Sequence, residues 1–198
     1  MSPNSRQQLY RIGFVFLAVF LVPACGASVH SQTREDYAQI DQNLVKHLAM
    51  VVVTSPPEQK QMWTLLTRRY VNQHRNFIIR PVNLPDEPTA GTACQGREGV
   101  LEIATLMRPK GADVAVVLAA KITRCRDGEL VWSGGVDGAW ESDDETVAEL
   151  RAHYAAELGD AVQKWVGPAF MALKALVATM PQPTLIDAEE MEKIELGE

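Results

Sequence analysis

The chain has 198 residues, 46% of them hydrophobic and 22% charged, with a formal net charge of −6. That length supports one domain with a real core, and an acidic balance gives no electrostatic reason to bind phosphate backbones or a broad anionic lipid surface, which argues against nucleic-acid partners. Three cysteines are too few for a disulfide-dense scaffold, and the four histidines (His30, His47, His74, His153) show no metal-ligand spacing.

Residues 1–11 carry Arg6 and Arg11 and no acid, 12–22 form an unbroken apolar run, and Pro23 ends it. The run is well short of the roughly 20 apolar residues that span a bilayer, so it reads as an export leader. Leu21-Val22-Pro23-Ala24-Cys25 then resembles the lipobox of bacterial lipoproteins, with Val22 where that family prefers leucine. The resemblance implies cleavage after residue 24, acyl chains on Cys25 and a membrane anchor. Gly26 after the cysteine, in place of Asp, implies the outer membrane, facing the periplasm. Loss of the leader takes Arg6 and Arg11 with it and moves the formal charge from −6 to −8.

The mature chain divides into a lipidated N-terminus and polar tether (25–43), a globular domain (44–183) and an acidic tail with about one helical turn (184–198). The apolar run at 50–53 predicts a strand buried on both faces. Ser55-Pro56-Pro57-Glu58 reads as a capping box opening a helix whose apolar stripe is Met62, Trp63, Leu66 and Tyr70. Phe77-Ile78-Ile79, closed by Pro81, predicts the next buried strand. Prolines and glycines punctuate 83–99 as a loop. Residues 100–107 fit a helix or a strand, and the turn signal at Arg108-Pro109-Lys110-Gly111 favours the strand. Residues 112–124 alternate as a strand, Asp127-Gly128 marks a hairpin, and the returning strand runs from Leu130 towards Trp140, with a bulge or close approach at Gly134-Gly135. A second capping box at Ser142-Asp143-Asp144-Glu145 opens a long helix, which Gly159, Gly167 and Pro168 kink or divide before Pro181 stops it.

With Cys25 used by the anchor, Cys94 and Cys125 remain, and an oxidising compartment favours a disulfide between them over a metal site or free thiols. If Met107 pairs with Ala112, the same register sets Cys94 opposite Cys125. The expected fold is therefore a single α/β domain: a mixed or antiparallel sheet of about five strands, two to three helices, and one disulfide.

Four stretches, RYVNQHRNF at 69–77, CRDGELVW at 125–132, GAWESDD at 138–144 and EKIELGE at 192–198, together resemble the MXAN/LA family of bacterial lipoproteins over nearly the whole mature chain. That family implies no activity, cofactor or site residue. The order of elements, with GADVAVV at 111–117 leading into the Asp-Gly hairpin, is also similar to α/β domains of envelope-assembly lipoproteins of the curli secretion type.

No phosphate loop, nucleophile elbow or zinc-protease motif is present, so the reading is a non-enzyme without cofactor or metal. Asp143, Asp144 and Glu145 fit helix capping better than calcium binding. The candidate binding feature is a basic cluster, Arg68, Arg69, Arg75 and Arg80 beside His74, as an anion or partner site. Trp132 and Trp140 share a strand face and read as core before they read as a binding platform. The sequence thus points to an envelope lipoprotein that holds a partner protein near the membrane, with a small-ligand or glycan binder as the alternative.

Overall fold

The computed structural model describes residues 27–55, 57–80 and 92–197. The leader at 1–24, the lipobox cysteine Cys25 and most of the Pro-rich loop lie outside the described residues. Five strands form one sheet: β1 (Ser28–Thr33), β2 (Leu48–Ser55), β3 (Gly99–Lys110), β4 (Asp113–Arg124) and β5 (Leu130–Glu141). Their order is β1-β5-β4-β3-β2, with β2 parallel to β3 and every other neighbour antiparallel. Among the described residues four α-helices accompany it: α1 (Lys60–His74), α2 (Ala148–Leu158), α3 (Gln163–Val177) and α4 (Asp187–Gly197).

The β3-β4-β5 meander follows from alternation, regular along β4 and most of β3 and interrupted in β5 by a bulge at Val131. Leu101, Ile103 and Met107 on β3, Val114, Val116, Leu118 and Ile122 on β4, and Trp132 and Val136 on β5 all turn to one face and are buried there. α3 lies on β5 and β4, and α1 lies on β2, so the helices cover that face. Residues 100–107 are strand, as the turn signal favoured. The turn itself comes later, because β3 continues through Pro109, which pairs with Val114, and the chain reverses at Gly111, whose φ of +66° suits glycine.

The later turn moves the register by four positions. Lys110 pairs with Asp113 and Gly99 with Arg124, so the expected Met107–Ala112 pairing is not formed. Cys94 and Cys125 are nonetheless bonded, with Cα atoms 5.4 Å apart. They meet beyond the ladder's end, where the Cys125 amide donates to the Glu98 carbonyl at 2.9 Å.

The fifth strand is not the one expected. Phe77-Ile78-Ile79 is buried but forms only a bridge from Ile78 to His47. The side chain of Asn72 occupies both backbone groups of Ile79, donating to its carbonyl and accepting from its amide at 2.9 Å each, so no ladder continues there. β1 takes the fifth place instead, within the segment expected to be a tether. Its SVHSQT sequence is exposed and carries no apolar stripe, yet it pairs antiparallel with β5 through six residues.

Neither capping box forms as the sequence suggests. Ser55 belongs to β2, and α1 starts at Lys60 after a 3₁₀ turn over Pro57–Gln59. Before α2 the cap is Asp144, which accepts from the Thr146 amide at 2.8 Å. The long helix divides at Gly159, where φ is +92°, while Pro168 stays inside α3. The acidic tail, expected to hold about one turn, forms the 11-residue α4 against α1.

Candidate functional site

Among the described residues nothing covers the second face of the sheet. The registers set its side chains in rows that run across the strands. Val51, Glu102, Lys121, Ser133 and Gln32 form one row; Val53, Ala104, Ala119, Gly135 and His30 the next; Ser55, Leu106, Val117, Asp137 and Ser28 the third. Val53 is 58% exposed and Val117 45%. The His30 ring lies over Gly135, where an added Cβ would come within 2.5 Å of it. Because Ala104, Ala119 and Gly135 are small, the centre of this face is a shallow hollow rimmed by His30, Glu102 and Lys121. The Lys121 ammonium sits 3.3 Å from the Glu102 carboxylate, and both side chains are partly open to water.

This face missed recognition in the sequence because its apolar residues are short and alternate with buried ones. Val53, Ala104, Ala119 and Val117 are its exposed apolar residues, with charged and polar side chains around them. Trp132 and Trp140 belong to the other face: Trp132 is fully buried over Gly134, and Trp140 packs over Gly138. Trp132 sits in the core and Trp140, half-buried, packs against it, so core packing holds for both as the sequence favoured.

The four arginines of the expected basic cluster do not converge. Arg69 is spent on Glu157, at 2.7 and 3.1 Å, with its guanidinium over the Tyr154 ring. Arg75 donates to the carbonyls of Val177 and His74, which ties α1 to the end of α3. Only Arg68 and Arg80 share a site, and Arg97, which sequence reasoning missed, joins them. They line a hollow of about 220 Å³ floored by Met50, Ile79 and Ala93. Adjacent helical positions point about 100° apart, so Arg69 turns to Glu157 while Arg68 turns to the hollow. Burial, with the Arg69 charge beside it, pulls the Arg68 guanidinium below its ordinary value. Arg80 donates to Glu192 at 2.6 Å, and Arg97 to the Gly96 carbonyl at 3.0 Å. The hollow is smaller than the roughly 300 Å³ at which drug-sized sites begin, so it suits a small anionic group. No group of three or more His, Cys, Asp or Glu able to hold a metal occurs among the described residues.

Neither a protein-family model nor a curated protein sequence matches the chain, and the MXAN/LA resemblance finds no support there. Solved structures do resemble it in part. The PelC dodecamer from Paraburkholderia phytofirmans is 14% identical over 76% of this chain and 98% of its own, with a TM-score of 0.45. The LpoB C-terminal domain from Salmonella enterica is 17% identical over 50% and 84%, with a TM-score of 0.37. Lipoprotein GNA1162 from Neisseria meningitidis is 13% identical over 60% and 98%, with a TM-score of 0.38. A bacterial lipoprotein thus stands among the similar structures. At these identities the likeness transfers no ligand or partner.

Proposed function

We propose that this chain is a lipoprotein of the bacterial envelope, anchored through Cys25 to the outer membrane and facing the periplasm, which binds a partner protein beside the membrane and catalyses no reaction. The observation that carries this reading is the uncovered sheet face, with Val53 and Val117 exposed around a centre of Ala104 and Ala119. Burying such apolar area contributes roughly 25 cal/mol per Å², which gives the face a reason to find a partner. The lipobox adds the location. β1 begins at Ser28, three residues past Cys25, so an anchor there leaves a leash of about 10 Å rather than a long tether. A partner on this face is then held close to the bilayer at high local concentration.

The test is photo-crosslinking in living cells from position 117, with Lys174 on the exposed side of α3 as the control position. Adducts that form from 117, fail to form from 174 and diminish in a Cys25→Ser variant are the expected result. Equal yields from the two positions defeat the docking reading. The Arg68, Arg80 and Arg97 hollow favours a second reading, a binder of small anions. Saturable binding of inorganic phosphate or acetate, lost in Arg68→Gln, distinguishes it.

A further inference from the structure

We infer that the occupant of the open sheet face is a second copy of this chain, related by a two-fold axis that runs along the strands between β3 and β4. The inference rests on the docking reading above and names its partner. Two observations and the anchor proposed above carry it. The first is charge. The face carries Arg108, Lys110 and Lys121 against Glu102, Asp113, Asp137 and Glu141, so the two signs nearly balance on a chain whose net charge is −6. Two acidic molecules therefore meet there without the repulsion that other surfaces would impose.

The second is register. Glu102 is the ladder partner of Lys121, Ala104 of Ala119, and Leu106 of Val117. An axis between the two strands exchanges the members of each pair. Glu102 then faces Lys121 of the second copy and Lys121 faces its Glu102. Ala104 lies over Ala119, and Leu106 over Val117. The small central residues let the two sheets approach to about the 10 Å spacing of packed sheets. The face is also large enough. About this axis β2, β3, β4 and β5 of each copy overlap. Strands about 4.8 Å apart, over eight residues at about 3.4 Å each, then cover roughly 500 Å² per copy, or about 1,000 Å² in all, the area at which specific interfaces begin.

The third is the anchor. An axis along the strands sends β1 of both copies off at the same end of the assembly, so both N-termini reach one membrane. An axis across the strands would send them to opposite ends. Only the first is compatible with two lipid anchors in one bilayer.

The experiment uses the full chain, co-expressed with two different tags and solubilised in mild detergent, and measures the second tag recovered with the first. Glu102→Lys puts two lysines on the row beside the central alanines, and Lys121→Glu puts two glutamates there. Each variant alone faces like charge across the axis, and recovery falls by about tenfold or more. Mixing the two variants sets lysines opposite glutamates, and recovery returns. Misfolding of either variant would not be repaired by mixing. As a geometric check, co-expressed Ala104→Cys and Ala119→Cys chains are joined by a short bifunctional thiol crosslinker, because sheets about 10 Å apart hold these Cα atoms beyond direct disulfide reach. No recovery for the natural pair, or no rescue in the mixed pair, overturns the second copy as occupant. If crosslinking from position 117 then still captures a different protein, the docking surface stands with another partner. If it captures nothing, the docking reading falls as well.

Discussion

Arg124 donates to Asp41 across 2.6 Å with its side chain only 5% exposed and that of Asp41 fully buried. The pair joins the last residue of β4 to the turn that precedes β2. The other edge of the same guanidinium forks onto Asp127 at 2.8 and 2.6 Å and reaches Glu129 at 3.2 Å. Hydrogen bonding to Asp127, ahead of the Asp41 charge, holds Arg124 above its ordinary value, and the same contact holds Asp127 well below the usual carboxylate range. One side chain therefore orders the Asp-Gly hairpin and pins the segment between β1 and β2.

Removing Arg124 leaves a buried carboxylate with no counter-charge. Arg124→Met is expected to lower unfolding stability by about 3–5 kcal/mol. Arg124→Met combined with Asp41→Leu should recover most of that loss, because an apolar pair needs no desolvation to be repaid. Denaturant titrations of the two variants check it through the midpoint at constant slope. Equal losses in the single and double variants would show that the hairpin fork on Asp127, and not the Asp41 pair, is what matters.

The disulfide closes a loop of 31 residues around β3, β4 and the turn between them. In the chain-entropy account a loop of that length stabilises by about 3–4 kcal/mol, through the unfolded state. A variant with serine at 94 and 125 should lose that amount, and dithiothreitol should lower the natural chain to the variant's midpoint. Midpoints that coincide without reductant would contradict the bond.

The meander, the hairpin and the disulfide were legible because each leaves a local mark: alternation with period two, an Asp-Gly pair, two cysteines left over once the lipobox-like Cys25 is set aside. β1 and α4 were not, because tertiary pairing holds them. SVHSQT has no apolar face and is a strand because β5 offers it a free edge. The reverse error at Phe77-Ile78-Ile79 has the same origin. Its composition is that of a strand, but Asn72, seven residues before Ile79, claims the backbone first. At the site, clustering in sequence overstated clustering in space. Arg69 and Arg75 turn to other partners, and Arg97 arrives from a loop that nothing local connects to α1.

α4 is held by charge. Its Met191 and Ile194 are more than 60% exposed, while Glu189 reaches Lys46 at 2.7 Å and Glu192 reaches Arg80 at 2.6 Å and His47 at 3.3 Å. Burial alone would raise the Glu189 carboxyl, but the Lys46 ammonium overrides it and holds it below 4.5. The Arg80 hydrogen bond, helped by His47, does the same for Glu192. Folded values below the unfolded one mean that this stabilisation is complete above pH 4.5 and is lost as the pH falls through the lowered values. α4 should therefore leave α1 in acid before the sheet unfolds, and Glu189→Gln with Glu192→Gln should release it at neutral pH. Cα chemical shifts of residues 187–196 followed from about pH 7 to about pH 3 report the release. A helix that stays docked in acid, with both carboxyls protonated, would refute the ionic account.

Gly134 tests how closely the covered face is filled. A Cβ added there would lie 2.7 Å from the Trp132 ring, 3.0 Å from the Leu176 side chain and 3.3 Å from the His30 carbonyl oxygen. Trp132 is fully buried, Leu176 is fixed on α3 against β5, and the carbonyl belongs to the neighbouring strand, so none of the three can yield cheaply. Gly134→Ala should cost about 1–3 kcal/mol through overpacking and shift the near-ultraviolet dichroism of Trp132. Gly111→Ala separates this from the loss of glycine as such. Its Cβ would meet open space, so only its φ of +66° is strained, and the tryptophan signal should not move. A Gly134→Ala variant as stable as the natural chain would mean that α3 sits further from β5 than its packing here implies.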